Sequence, residues 1–179
     1  MVSKNTDRED LYQEEVSKMF YEERFKKGYM SDWDFITKER VYNVIKNLSL
    51  PEIGTALDFG CGTGVFTDVL KKALPKWKIY GTDISAEAIN NAKSRYPACD
   101  FFISDKSKPE FKFDFLFTHH VLEHVYDISK TINEINLFLK PLSFVLHIFP
   151  CGNEGSYEYN ICKLRTDGIS RNMEGRFFF

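Results

Sequence analysis

The chain is expected to fold as an α/β protein: a doubly wound, mostly parallel sheet with helices on both faces, preceded by an N-terminal helical extension. Three observations carry that expectation. Between Pro51 and Pro150 short apolar runs alternate with amphipathic segments of helical period, the pattern of parallel strands joined by crossover helices. Leu57-Asp58-Phe59-Gly60-Cys61-Gly62-Thr63-Gly64 passes from a strand through glycines at alternate positions into an amphipathic helix. Two later apolar runs each end in an acid, Asp83 and Asp105, where an open parallel sheet presents its ligand-facing edge.

At 179 residues, 43% hydrophobic and 28% charged, the chain suffices for one ordinary core and is short for two. A net charge of -2 and a pI near 6.1 give no broad field for a polyanion, so nucleic acid is an unexpected partner. Cys61, Cys99, Cys151 and Cys162 form no C-x-x-C pair and read as free thiols of a reducing compartment. No apolar stretch reaches the length of a membrane span, and the charged N-terminus lacks the apolar core of a signal peptide. A cytoplasmic protein without membrane contact is the expectation.

The elements follow in order. Thr6-Asp7-Arg8-Glu9 reads as a capping box opening a helix whose apolar stripe is Tyr12, Val16, Met19 and Phe20. Gly28 breaks it. A second helix, with Ser31 as its N-cap, buries Val41, Val44, Ile45 and Leu48 before Pro51. Residues 1–50 thus form an extension to a domain of residues 51–179, and the joint at Tyr29 to Trp33 is expected to fold over the site as a lid, with Met30 and Trp33 mainly as packing residues. The helix after the glycines carries Val65, Phe66, Val69, Leu70, Ala73 and Leu74 on one face and stops at Pro75.

Trp77 to Asp83 alternates as the second strand, and Ser85 caps the next helix, with Ile84 and Ile89 placed as a hydrophobic staple. Cys99 to Asp105 is the third strand, Phe113 to Thr118 the fourth. Asp127 caps a helix with Ile128, Ile132, Ile135 and Leu139 inward, and Leu142 to Phe149 is an apolar fifth strand covered on both faces. Beyond Pro150 there is room for a helix around Tyr157 to Leu164 and for the start of a strand at Arg176 to Phe179. An apolar edge there is expected to be an incomplete hairpin, through truncation, or else a site of self-association.

The glycine turn is the candidate ligand floor. Backbone freed of Cβ atoms at a helix N-terminus lets a ligand carboxylate approach N–H groups, and Asp58 suits an ammonium. Asp83, about 20 residues past the glycines, suits both hydroxyls of a ribose. A dinucleotide fingerprint requires G-x-G-x-x-G, and counted from Gly60 its third place is Val65. A nicotinamide-dependent oxidoreductase is therefore the disfavoured alternative.

The pattern acid-x-G-x-G-x-G at Asp58 to Gly64 resembles the first motif of the class I, Rossmann-like S-adenosylmethionine-dependent methyltransferases. His119-His120-Val121-Leu122-Glu123-His124-Val125 resembles the L-E-H-V signature after their fourth strand. The resemblance covers roughly Pro51 to Pro150 and implies S-adenosylmethionine as cofactor, or S-adenosylhomocysteine as product. Asp58, Gly60, Cys61, Gly62, Asp83, Ile84 and His119 would contact it, and Asp105 would reach the adenine amino group. The family's sheet has two further strands, which is where the chain departs from it.

A small-molecule acceptor is expected, because no N-P-P-Y-like run follows the fourth strand, where Thr118-His119-His120-Val121 stands. Methyl transfer needs alignment and exclusion of water above all. A general base helps where the acceptor loses a proton, and His120 and His119 are the candidates, ahead of Glu123 and His124. No metal is expected. The alternative is that His120, Glu123, His124 and His147 form a metal site like the cluster of small-RNA 2′-O-methyltransferases, although His120 stands where those have an acid. A cofactor-binding subunit without activity is the alternative outside enzymes.

Overall fold

The computed structural model describes residues 3–104 and 111–148, with side chains from residue 15 onward. Among these, β1 (Thr55–Phe59), β2 (Lys78–Asp83), β3 (Asp100–Ile103), β4 (Phe113–His119) and β5 (Leu139–Ile148) form one sheet. All pairings are parallel and the order is β3-β2-β1-β4-β5. The helices are α1 (Ser3–Lys26), α2 (Phe35–Lys46), α3 (Val65–Ala73), α4 (Ala86–Arg95) and α5 (Ile128–Phe138). This is the expected doubly wound architecture.

Alternation along the strands divides the core into two layers. Ala56 of β1, Ile79 of β2, Phe115 and Phe117 of β4 and Leu146 of β5 pack with α2, α3 and α4 through Val41, Ile45, Phe66, Leu70, Ile89 and Ala92. Their neighbours Leu57, Leu116 and Val145 point the other way, against Ile132, Ile135 and Phe138 of α5. Each such side chain, once fully buried, contributes on the order of 1.5–3 kcal/mol. The strand order reverses direction between β1 and β4, so the loops after these two strands diverge and leave a crevice at their carboxyl ends.

Several local expectations are corrected. α1 begins at Ser3, so Thr6 lies within the helix rather than at its cap. Its apolar stripe faces outward: Val16 is 43%, Met19 71% and Phe20 52% exposed, whereas Phe25 is buried. The inward face runs instead through Tyr21 and Phe25, one position away. α2 is capped by Asp34, not Ser31, because the Asp34 carboxylate accepts from both the backbone N–H and the hydroxyl of Thr37, at 2.9 and 2.6 Å. Val44 is 44% exposed.

The junction of α5 and β5 also differs. Leu139, expected at the end of the helix, already pairs with Phe113 as the first residue of β5. Pro141 then removes a ladder N–H, Leu142 takes φ +63° and is 99% exposed, and the register shifts between Phe113 and Phe115. Deep burial on both faces starts only at Val145. Asp105, Cys151, Cys162 and the elements expected beyond Pro150 lie outside the described residues, as do the side chains of Thr6 and Tyr12.

Candidate functional site

A cavity of about 580 Å³ lies at the carboxyl ends of the strands, within the range of small-molecule sites. Its floor is the turn after β1. Gly60 has φ +76°, and a Cβ there would fall 2.5 Å from Cγ2 of Val121, so the loops after β1 and β4 touch at the switch point with no room for a side chain. Gly64, the N-cap of α3, has φ +82° and would meet Ala92, Tyr96 and Phe101 at 3.0–3.1 Å.

Four of the turn's N–H groups, those of Gly60, Cys61, Gly62 and Gly64, have partners within the protein, where the sequence expectation was that they serve a ligand carboxylate. Gly60 and Cys61 both donate to the carbonyl of Thr82, at 2.8 and 2.9 Å, and Gly64 donates to Cys61. Gly62 donates to Oδ2 of Asp83 at 2.9 Å. Buried backbone donors must find partners, and the end of β2 supplies them. With its glycines bare of side chains, the turn offers a ligand close approach.

Two buried carboxylates flank this turn. Asp58 is 2% exposed, lines the cavity and accepts a 2.6 Å bond from the Thr67 hydroxyl. Burial pushes its carboxyl up to about 7, against the Thr67 bond, and the charge of Asp83 pushes the same way. Asp83 is also lifted by burial, opposed by the N–H groups of Ser85 and Gly62. Its Oδ1 accepts from Ser85 N at 2.9 Å, so it is a strut for the glycine turn as well as a lining residue. Cys61 and Ile84 line the same cavity, and burial raises the Cys61 thiol well above its usual range.

The opposite wall comes from β4 and the N-terminal extension. His119 is 8% exposed and stacks at 3.9 Å on Phe66, with Trp33 edge-on at 4.9 Å. Burial, and then the neighbouring His120, lower it to about 3. It is a neutral slab of the wall, and a base that weak takes no proton near neutrality. His120 lines the cavity in the left-handed region, φ +56°, with its backbone N–H on the carbonyl of Ile148 at 3.0 Å. Its Nδ1 is 3.3 Å from Oε1 of Glu123, a nearly buried side chain.

Of the four residues of the metal alternative, His120, Glu123 and His124 stand together in the turn after β4, while His147 is engaged with Thr118. His147 Nδ1 is 2.8 Å from the Thr118 hydroxyl, and burial lowers its ring to about 4. Among the described residues no group of three or more His, Cys, Asp or Glu is arranged to hold an ion.

The roof reaches beyond the expected joint at Tyr29 to Trp33, and sequence reasoning missed its other part, Tyr21 and Phe25. Tyr21, Phe25, Tyr29, Met30 and Trp33 all line the cavity, so Met30 and Trp33 are wall as well as packing. The signal was present as Tyr21, Phe25 and Tyr29, aromatic at every fourth position. Three polar contacts tie this roof down: the carbonyl of Met30 accepts from Thr63 Oγ1 at 3.1 Å, and that of Ser31 accepts from Arg95. The third is Glu22 of α1, whose carboxylate accepts from the Ser85 hydroxyl at 2.5 Å and from Glu87 N at 3.3 Å. These bonds outweigh burial and hold Glu22 below its usual value.

Comparison with known proteins points the same way. Residues 57–144 match a family model described as a methyltransferase domain. Malonyl-[acyl-carrier protein] O-methyltransferase 2 of Ilyobacter polytropus is 28% identical over 100 residues, covering 53% of this chain and 39% of that protein. A trans-aconitate 2-methyltransferase of Azoarcus sp. is 26% identical, over 55% of this chain and 40% of its own. A mitochondrial arginine-hydroxylase of Rattus norvegicus is 31% identical over 143 residues, 78% of this chain and 38% of that one. The chain thus spans about two fifths of the length of these relatives. Among solved structures, the plantazolicin methyltransferase BpumL, crystallised with a substrate analogue and SAH, superposes with a TM-score of 0.57 at 18% identity, over 79% of this chain and 62% of that one. A TehB-like methyltransferase of Corynebacterium glutamicum gives 0.54 at 18% identity, over 85% and 82%. At that identity the two share the fold.

Proposed function

We propose that this chain, which belongs to the class I Rossmann-like methyltransferase family, binds S-adenosylmethionine in the cavity and transfers its methyl group to a small-molecule acceptor. One observation carries the reading: Asp58 and Asp83 are buried at the carboxyl ends of adjacent strands beside a turn with glycine at alternate positions. A carboxyl lifted to about 7 by burial is matched by a ligand that brings its own cation, here an ammonium. Asp83 then meets the ribose hydroxyls with the lone pairs that Gly62 and Ser85 leave over, and Asp105 approaches the adenine. Gly60, Cys61, Gly62, Ile84 and the face of His119 complete the contact surface. The bound cofactor supplies an electrophilic methyl on a sulfonium.

The chain's own part is positioning. Tyr21, Phe25, Tyr29 and Trp33 exclude water from above, and His120 accepts the acceptor's proton where one is lost. The N-terminal helices act as a lid, opening for exchange and closing for transfer. Cys61 and Cys99 as buried free thiols fit a cytoplasmic setting. No helix among the described residues is long and apolar enough to cross a membrane.

Titration calorimetry with S-adenosylmethionine, S-adenosylhomocysteine and NAD tests the reading. The first two are expected to bind and NAD is not. Asp83→Asn should weaken binding roughly tenfold to a hundredfold, from charge-assisted bonds worth on the order of 1.5–3 kcal/mol; unchanged affinity in a folded variant overturns the assignment. Trans-aconitate and a malonyl thioester are the first acceptors to try, because two relatives are named for them. The arginine-hydroxylase match reaches furthest along the chain of the three and favours a second reading, oxidation of an arginine side chain. Mass spectrometry of a peptide substrate separates a gained methyl from a gained oxygen, and binding without turnover on any acceptor favours a cofactor-binding subunit.

A further inference from the structure

The turn after β4 contains a buried carboxylate with no assigned task. Glu123 has a side chain only 9% exposed, and neither of its oxygens makes a hydrogen bond of good geometry. Oε1 nonetheless faces two imidazoles, Nδ1 of His120 at 3.3 Å and Nε2 of His124 at 3.8 Å. A buried acceptor left unsatisfied is costly, and the nearest donor position is His120 Nδ1. His120 itself is held off the common backbone regions at φ +56° and tethered through its N–H to Ile148, which fixes the backbone from which its ring projects. Its ring lies 5.2 Å from Trp33 and lines the cavity, whereas Glu123 does not line it. A strained non-glycine residue beside a ligand cavity is the kind of place where strain serves function.

We propose that Glu123 is a positioning residue: it accepts a hydrogen bond from Nδ1–H of His120, fixing the tautomer whose Nε2 lone pair is turned to the acceptor. The proposal rests on the reading of this cavity as a methyl-transfer site with His120 as base. In the transfer step the acceptor's O–H or N–H bond breaks and its proton goes to His120 Nε2. The electron pair so released forms the bond to the methyl carbon, and the carbon–sulfur pair stays on sulfur. The imidazolium that results faces the Glu123 carboxylate, which needs no further movement to stabilise it. Tyr21 of the roof and His124 beside this carboxylate have rings 6.2 Å apart.

The chain has only four histidines, so nitrogen-15 spectra of histidine-labelled protein can be assigned by single substitutions. At a pH where the imidazoles are neutral, His120 is expected to show a protonated Nδ1 and an unprotonated Nε2. That tautomer should persist in Glu123→Gln, whose carbonyl still accepts, and give way to the Nε2–H form in Glu123→Leu. Affinity for S-adenosylhomocysteine should change less than threefold in both. A wild-type His120 protonated on Nε2, or a tautomer unmoved by Glu123→Leu, overturns the proposal. Should Glu123→Leu fail to fold, the wild-type and Glu123→Gln spectra decide alone. Loss of S-adenosylhomocysteine binding in the wild type would defeat the functional reading while leaving the tautomer result to stand or fall by itself.

Discussion

Asp58→Asn should stabilise the ligand-free protein, and by an amount that grows with pH. The Asp58 carboxyl moves from an ordinary 3.8 to about 7, chiefly through burial, so the folded state holds a proton that the unfolded state has released. Stability therefore falls as pH rises between those two values. At about 1.4 kcal/mol per pH unit the full excursion is roughly 4 kcal/mol, and asparagine removes it while keeping an acceptor for the Thr67 hydroxyl. Urea unfolding of both proteins, from about pH 4.5 to about pH 8, gives the difference directly. His119 and His147 are common to the two and cancel, whereas the repulsion between Asp58 and Asp83 is part of the difference that is read. The variant's advantage should climb by about 2–4 kcal/mol over this window and level off above neutrality. Saturating S-adenosylmethionine should reverse the order, since the wild type alone offers its ammonium a carboxylate. A difference that is flat with pH would refute the argument that Asp58 is a buried charge awaiting a cation.

Three other outcomes are expected. Gly60→Ala meets Val121 at 2.5 Å in a left-handed backbone, and should cost about 2–4 kcal/mol from strain and overpacking together, read as a lowered midpoint in urea. His119 and His147, held at about 3 and about 4 against an ordinary 6.5, contribute stability that is complete above about pH 6.5 and is lost as pH falls toward their folded values; His147→Asn should flatten that acid limb, which denaturation below neutrality measures. Glu22→Ala removes the acceptor of Ser85 Oγ and Glu87 N, so hydrogen exchange over residues 15–26 should quicken; the lid reading further requires that S-adenosylhomocysteine slow exchange there in the wild type, and equal protection with and without it would count against gating.

What the sequence revealed and what it hid divide along the range of the interactions. Strand, glycine turn and helix at Leu57 to Leu74 are written locally, by alternation, by glycines that no side chain can replace and by a stop at Pro75. The strand-end acid Asp83 was legible because the sheet's geometry repeats. Its second duty, holding the N–H groups of Gly62 and Ser85, was not, because that depends on β1 and β2 lying in parallel register. The outward turn of Val16, Met19 and Phe20 was hidden for a similar reason: two apolar stripes, one position apart, compete on α1, and only the partner surface chooses Tyr21 and Phe25. Glu22 carries no local mark at all. Its partner Ser85 is 63 residues away, and an acid on an exposed helix looks like any solvated charge.

The shared carbonyl of Thr82 has a kinetic meaning. With Gly60 and Cys61 both hung from it and Gly62 hung from Asp83, the glycine turn and the end of β2 form one stiff piece, keyed to the loop after β4 through Val121. Roof contacts through Glu22, Met30 and Ser31 belong to α1 and to the segment that joins it to α2. Substitutions in the stiff piece should therefore register as changes in equilibrium affinity, and substitutions in the roof as matched changes in how fast a ligand arrives and departs.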